Sequence, residues 1–198
     1  MRRKMLRRDS AGLAAIVALI VLVAACHVNV QKSENGEDKK VDVETPVGAI
    51  HVNKGVAARD TGLPVYPGAQ EKKKGDNSAN VNISSSFFGL KVVAIEYLSD
   101  DPPEKVAAYY KDQLKKYGAI LECHTSNPHN DAGDVDVSIG DEKDKKLSCE
   151  HGSGPTLELK VGTKDNQHLV SISPQDKGKG TDFALVFVQT RGGSKDTI

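Results

Sequence analysis

The side chains of this chain best suited to chemistry are its sulfurs and imidazoles. Cys123, His124, His129, Cys149 and His151 fall in one stretch. Thiolate and imidazole donors of this kind are what a tetrahedral zinc site takes. The spacing does not follow finger or ribbon patterns, and Cys123 and His124 point to opposite faces if their segment is a strand. Oxidation is the rival chemistry. In Ala119-Leu121-Cys123 the cysteine shares a strand face with Leu121, and in Leu147-Cys149-His151 it shares one with Leu147. Two such strands can set the thiols opposite each other at the Cβ separation of ~3.8 Å that a disulfide needs. A Cys123–Cys149 bridge is the favoured reading, with the five-residue metal set as its alternative.

Other chemistry is poorly supported. Asp131, Asp134, Asp136, Asp141, Glu142 and Asp144 are acidic, but no glycine falls where a calcium loop requires one. They read as a solvated loop. The glycines of GSGPT and DKGKGTD do not open helices, so they are not phosphate cradles. Neither a Gly-x-Ser-x-Gly elbow nor a His-Glu-x-x-His motif occurs. Ser84, Ser85 and Ser86 read as a polar strand face, and His51 and His168 as structural or surface histidines. No catalytic residue and no cofactor is expected.

The remaining cysteine, Cys26, closes the apolar run Ala11–Ala25, which follows Arg2, Arg3, Lys4, Arg7 and Arg8. Fifteen uncharged residues fall short of the ~20 that span a bilayer core. Length, basic flank and small terminal residues match a secretory signal over residues 1–25. Val23-Ala24-Ala25-Cys26 resembles the lipobox of bacterial lipoproteins. That resemblance implies a diacylglycerol on the Cys26 thiol, cleavage just before it, and acylation of the new amine. His27 follows where an Asp would favour inner-membrane retention, which points to the outer membrane. Arg2-Arg3-Lys4-Met5-Leu6 also resembles a twin-arginine signal, so the export route stays open.

Charge narrows the partners. The 198 residues balance 27 basic against 27 acidic side chains. Without residues 1–25 the net charge becomes −4. Such a surface lacks the basic patch that nucleic acid requires, and it does not attract anionic headgroups.

The elements that must hold these residues are mostly strands. Residues 27–40 are polar, with no sustained period, and read as a lipidated tether from Cys26. Residues 41–61 read as a small hairpin around Thr45-Pro46-Val47-Gly48 and its connector. NVNISSSF (80–87), with Val81, Ile83 and Phe87 on one face, and KVVAIEYL (91–98), apolar on both faces, are strands. Further strands are expected at 119–123, 146–151, 156–162, 168–173 and 183–189, with an extra one possible at 135–139. One helix is expected at about residues 102–117. Asp101 is its N-cap, Glu104 its capping-box partner, Pro102 its first residue and Gly118 its stop. Val106, Tyr110, Leu114 and Tyr117 form its apolar stripe with Tyr109 alongside, read as core tyrosines whose hydroxyls reach water. The fold class is therefore α+β: a predominantly antiparallel sheet covered on one face by a single amphipathic helix, occupying residues 62–191, with a fraying tail at 192–198.

GLPVYPGA, VNISSSFFGLKVV and DDPPEKVAAYYKDQLKKYG together resemble a group of bacterial lipoproteins. Its members pair a Thr-Pro-x-Gly hairpin and a Tyr-Pro-Gly-Ala motif with an Asp-Pro-Pro-Glu-Lys-Val helix. The resemblance covers roughly residues 40–192 and brings no activity with it. The expectation is a lipid-anchored protein of the cell envelope, periplasmic or surface-facing. It would act as a non-enzymatic binding or structural module for an unknown protein or envelope ligand. An envelope hydrolase or metal-dependent enzyme using the His/Cys cluster is the alternative, and a small-ligand carrier a third.

Overall fold

The computed structural model describes residues 27–32, 38–53, 57–72, 78–125, 145–149, 153–175 and 179–192. They form a ten-stranded, wholly antiparallel sheet with one α-helix, an α+β architecture. The strands are β1 (His27–Lys32), β2 (Asp38–Thr45), β3 (Gly48–Asn53), β4 (Gln70–Glu71), β5 (Ser78–Ser85), β6 (Gly89–Ser99), β7 (Leu121–Thr125), β8 (Thr156–Thr163), β9 (Asn166–Pro174) and β10 (Thr181–Arg191). The helix α1 is Pro103–Leu114. Spatial order is β1-β2-β3-β5-β6-β10-β9-β8-β7, with short β4 pairing the end of β6. The last strand in sequence, β10, thus lies between β6 and β9.

The apolar pattern explains these positions. β6 and β10 carry apolar residues on both faces over much of their length, with the helix-facing positions of β6 the more buried. Val93, Ile95 and Tyr97 of β6 face the helix with Phe183 and Leu185 of β10, Val170 and Ile172 of β9, and Leu159 and Val161 of β8. Onto this surface α1 lays Val106, Ala107, Tyr110 and Leu114, all buried. Phe183 is the centre of the cluster, stacked with Tyr97 at 5.5 Å between centroids and meeting Tyr110 at 5.6 Å. On the reverse face Leu169, Val186 and Val188 are buried against Leu90, Val92, Ala94 and Ala184.

Between β3 and β4 the chain makes a 3-10 turn, Ala58–Thr61, and then an irregular run, Gly62–Ala69, wedged under the helix. Leu63 and Tyr66 of this run are buried while most of its other residues are exposed, and backbone drawn in at these points must find partners for its polar groups. Here aromatic rings supply them one after another. His168 bonds the Thr61 carbonyl at 2.9 Å, Tyr117 donates to Gly62 at 2.6 Å, Tyr110 to Pro64 at 3.1 Å and Tyr109 to Val65 at 3.5 Å. The Tyr110 hydroxyl also accepts the Tyr66 N–H at 3.0 Å. This hydroxyl is buried rather than wet, which differs from the sequence expectation. A run with no ladder of its own took the hydroxyl as its partner.

The helix start differs as well. The N-cap is Pro102, without a side-chain cap, and Pro103 is the first helical residue. Asp101 instead accepts from the Tyr66 hydroxyl at 2.7 Å and from Lys105 at 2.8 Å. Both partners hold its carboxyl below the ordinary range, Lys105 being the larger influence. The C-terminal end tightens into a 3-10 turn at Lys115–Tyr117 and stops at Gly118, whose φ of 134° suits glycine.

Four further expectations are revised. Residues 27–32, expected as tether, are β1, because Val28 and Val30 alternate in register with Val43 and Val41. β3 bonds to β5, so the β2–β3 hairpin continues the main sheet rather than standing apart. Within 146–151, the described residues through Cys149 form no strand: Leu147 is buried and the Lys145 carbonyl accepts from Lys164 N–H, but no ladder forms. Phe87 sits in the β5–β6 turn, 87% exposed, rather than on the Val81–Ile83 face. Residues 135–139 and the acidic loop at 131–144 lie outside the described residues.

Tyr110→Phe keeps the ring and removes the doubly used hydroxyl. It leaves the Tyr66 N–H and the Pro64 carbonyl without this partner. The expected loss is about 1–3 kcal/mol of unfolding free energy, read from urea denaturation, with no change in the secondary-structure spectrum.

Candidate functional site

Cys26, expected to carry lipid, lies just outside the described residues. Its neighbour His27 opens β1, the terminal strand of the sheet. Any chemistry at Cys26 is therefore one residue from folded structure. The part of the fold that meets it is an arm of four strands, β1, β2, β3 and β5, extending from β6.

Cross-strand register gives this arm two unlike faces. On one, Val28, Val43, Ile50, Ile83 and Leu90 form a row across five strands. Val30, Val41, Val52, Val81 and Val92 form the next. Neither row contains a charge. β-branched side chains suit such a pleated surface, and directly opposed aliphatic pairs stabilise each other across the strands. On the other face the rows read Asn29, Asp42, His51, Asn82, Lys91 and Gln31, Lys40, Asn53, Asn80. The helix covers the polar-face side of the sheet only beyond β6, where that side turns apolar. The arm's aliphatic side is the one turned away from α1.

The polar face contains a carboxylate–imidazole pair. His51 Nδ1 lies 2.7 Å from Asp42 Oδ1, and Lys40 donates to Asp42 Oδ2 at 2.9 Å. Lys40 first and His51 second hold the Asp42 carboxyl below its ordinary range. The carboxylate can orient the imidazole as it does in general-base pairs. A base needs a nucleophile within hydrogen-bond reach, and the residues opposite His51 across the sheet are Asp42 and Asn82. The pair thus orients a histidine on an open surface. Sequence reading took His51 as a lone histidine. Its signal was available: positions 42 and 51 become partners once the turn pairs Thr45 with Gly48.

At the opposite end of the sheet, Cys123 and Cys149 are joined by a disulfide with Cα atoms 5.4 Å apart. It ties the irregular segment 145–149 to edge strand β7. The bridge takes both sulfurs out of the thiolate form a zinc site needs. His124 points to the opposite face of β7, paired with Leu157, while His129 and His151 lie outside the described residues. No group of three or more metal-ligating side chains comes together among the described residues. Beside the bridge, on the same face, Glu158 and Lys160 form a buried ion pair at 3.1 Å, and Thr156 bonds Ser173 at 2.9 Å. Serine, threonine and the ion pair replace aliphatic residues on this side of β8 and β9.

His168 is the third histidine with a defined setting. It stacks on Tyr117 at 3.8 Å between ring centroids, with Nδ1 directed at the Thr61 carbonyl. Burial holds it below its ordinary value, and Lys116 acts in the same direction, while the Thr61 bond opposes them. Its role is to fasten the irregular run to β9.

No helix among the described residues is long and apolar enough to cross a membrane. No protein-family profile, curated protein or solved structure matches the chain.

Two outcomes follow. Replacing both bridged cysteines, Cys123→Ser with Cys149→Ser, is expected to cost about 3.5 kcal/mol on loop-closure grounds, seen as a lower urea midpoint. Reduction of the native protein is expected to reproduce it. The second concerns pH. The unfolded chain binds the His168 proton near the ordinary value of 6.5 and the folded chain only below it, so this contribution is complete above that value and fades as pH falls through it. His168→Gln is expected to flatten that part of the stability–pH curve between pH ~7.5 and ~5.5.

Proposed function

We propose that the protein is a lipid-anchored component of a bacterial cell envelope, acting as a non-enzymatic binding or structural module. The observation that carries the reading is the Cys123–Cys149 bridge. Disulfides persist in oxidising compartments such as the periplasm and are rare in the cytosol. The bridge accounts for two of three cysteines and leaves Cys26, at the end of an export-type leader, for acylation. Diacylglycerol plus an amide-linked chain supplies the multiple acyl groups that stable anchoring takes. With His27 rather than Asp after Cys26, the outer membrane is the favoured site.

The non-enzymatic half rests on the same surfaces. The two oriented histidines serve an open sheet face and a packed core, and the paired sulfurs do not offer thiolates. A large open sheet with a polar face suits contact with another macromolecule better than enclosure of a small substrate.

The test is intact-mass spectrometry of protein from its native envelope. A mass for residues 26–198 carrying acyl chains is expected, with Cys26→Ser leaving the leader attached and the chain unacylated. A mature protein that retains residues 1–25, or an unmodified Cys26, overturns the reading.

A further inference from the structure

The described residues include six large apolar side chains that are exposed, and five belong to the arm and its turns: Val28, Val30, Val47, Ile50 and Phe87, with Val65 elsewhere. They are not scattered. Val28 and Ile50 belong to one aliphatic row, joined through Val43, and Val30 begins the next. Val47, in the β2–β3 turn, and Phe87, in the β5–β6 turn, are the most exposed of all at 72% and 87%. Register puts both turns at the same end of the arm, because Gly48 pairs with Thr45 on one side and Ser85 on the other.

That end is also where the chain enters. His27 pairs with Glu44, the residue next to Thr45. Cys26 follows His27 backwards by one peptide unit, ~3.8 Å between Cα atoms. The three exposed members of the aliphatic rows, Val28, Val30 and Ile50, with half-buried neighbours between them, the two apolar turns and the thiol assigned to lipid therefore converge on one end of the arm. Contiguous apolar surface of this kind is uncommon on a monomer and marks an interaction site. The rows carry no charge, and the chain from Cys26 onward has a net charge of −4, so electrostatic attraction to anionic lipid does not contribute.

We propose that the aliphatic face of the arm, with Val47 and Phe87 at its tips, is a second membrane contact that seats the sheet on the bilayer beside the acylated Cys26. This rests on the lipid-anchor reading above and adds to it an orientation: aliphatic face to the membrane, polar face and α1 away from it. The acyl chains hold the face at the interface, and the face removes the freedom to swing. Because β1 begins at residue 27, there is no spacer to carry the domain off the surface.

The chain has no tryptophan, so a single introduced indole reports its own surroundings. The acylated full chain carrying Phe87→Trp is reconstituted into phosphatidylcholine vesicles, with ordinary or brominated acyl chains. Flotation of the same sample scores the anchor. Flotation with a blue-shifted emission that bromolipid quenches, unchanged by high salt or added anionic lipid, is the expected result. Asp112→Trp, on the exposed side of α1, is expected to float without quenching. Ile50→Trp repeats the measurement from the sheet face and serves if the turn variant does not fold.

Flotation without quenching at Phe87 and Ile50 overturns the membrane-contact proposal and leaves the anchor reading standing. Failure to float overturns both. A blue shift without bromolipid quenching, together with dimers in sedimentation, assigns the face to a second copy of the chain and likewise overturns the proposal.

Discussion

The constraint that organises the described residues is that their one helix cannot cover their ten strands. A twelve-residue helix is about 18 Å long, and strands lie ~4.8 Å apart. α1 lies over β9 and β8 and reaches Phe183 of β10 through Tyr110, while the 3-10 turn Ala58–Thr61 lies over β10 and β6, and their side of the sheet is where the aromatic core forms. Beyond β6 no helix is at hand among the described residues, and the sheet's chemistry inverts. The side that was apolar under α1 becomes Asn, His, Asp and Lys, while valine and isoleucine pass to the other side. β6 can serve both halves because it is apolar on both faces. The arm's aliphatic rows are the direct result of this inversion, and the proposed membrane contact gives them a partner.

The second organising feature is the irregular run at Gly62–Ala69. It has no strand or helix to satisfy its carbonyls, yet Leu63 and Tyr66 carry it into the core. Three tyrosine hydroxyls, from α1 and its 3-10 extension, take carbonyls of the run, and His168 of β9 takes that of Thr61 just before it. All five tyrosines of the chain lie in or beside this cluster. The tyrosines are thus doubly used, each ring as apolar filling and most hydroxyls as local replacement for a missing ladder. This is the buried use of Tyr in which a hydroxyl finds a definite partner.

The parts legible in the sequence were those with a strong period or a covalent consequence. Two-sided apolar strands such as KVVAIEYL and FALVFV were placed centrally, and β6 and β10 are central. The helix was legible from Val106, Tyr110 and Leu114, and the sulfur pairing was legible as a pair, although the strand face expected for Cys149 is absent because 145–149 forms no ladder. The illegible parts depended on distant partners. β1 has just two apolar positions, Val28 and Val30, and its strand character emerges from Val43 and Val41 opposite. Asp101 sits where a cap belongs, but Tyr66, far away in sequence, claims its carboxylate. The alternation of Leu147 and Cys149 reflects attachment to β7 through sulfur rather than strand pairing. In the candidate site, Asp42 and His51 required a register before they could be recognised as partners.

The placement of β10 governs how the molecule can be assembled. Among the described residues, ladder pairing joins the half-sheet of β1–β6 to the half-sheet of β7–β9 only through this strand, the last one described. Neither half has its seam closed until residues near 191 are present. The segments from β6 through β10 must therefore all be present before the two halves can be zipped together. Closure of so long a loop is the kind of event that slows folding in sheet proteins, and until it occurs β6 and β9 each keep one edge open, a template on which a stray strand can pair.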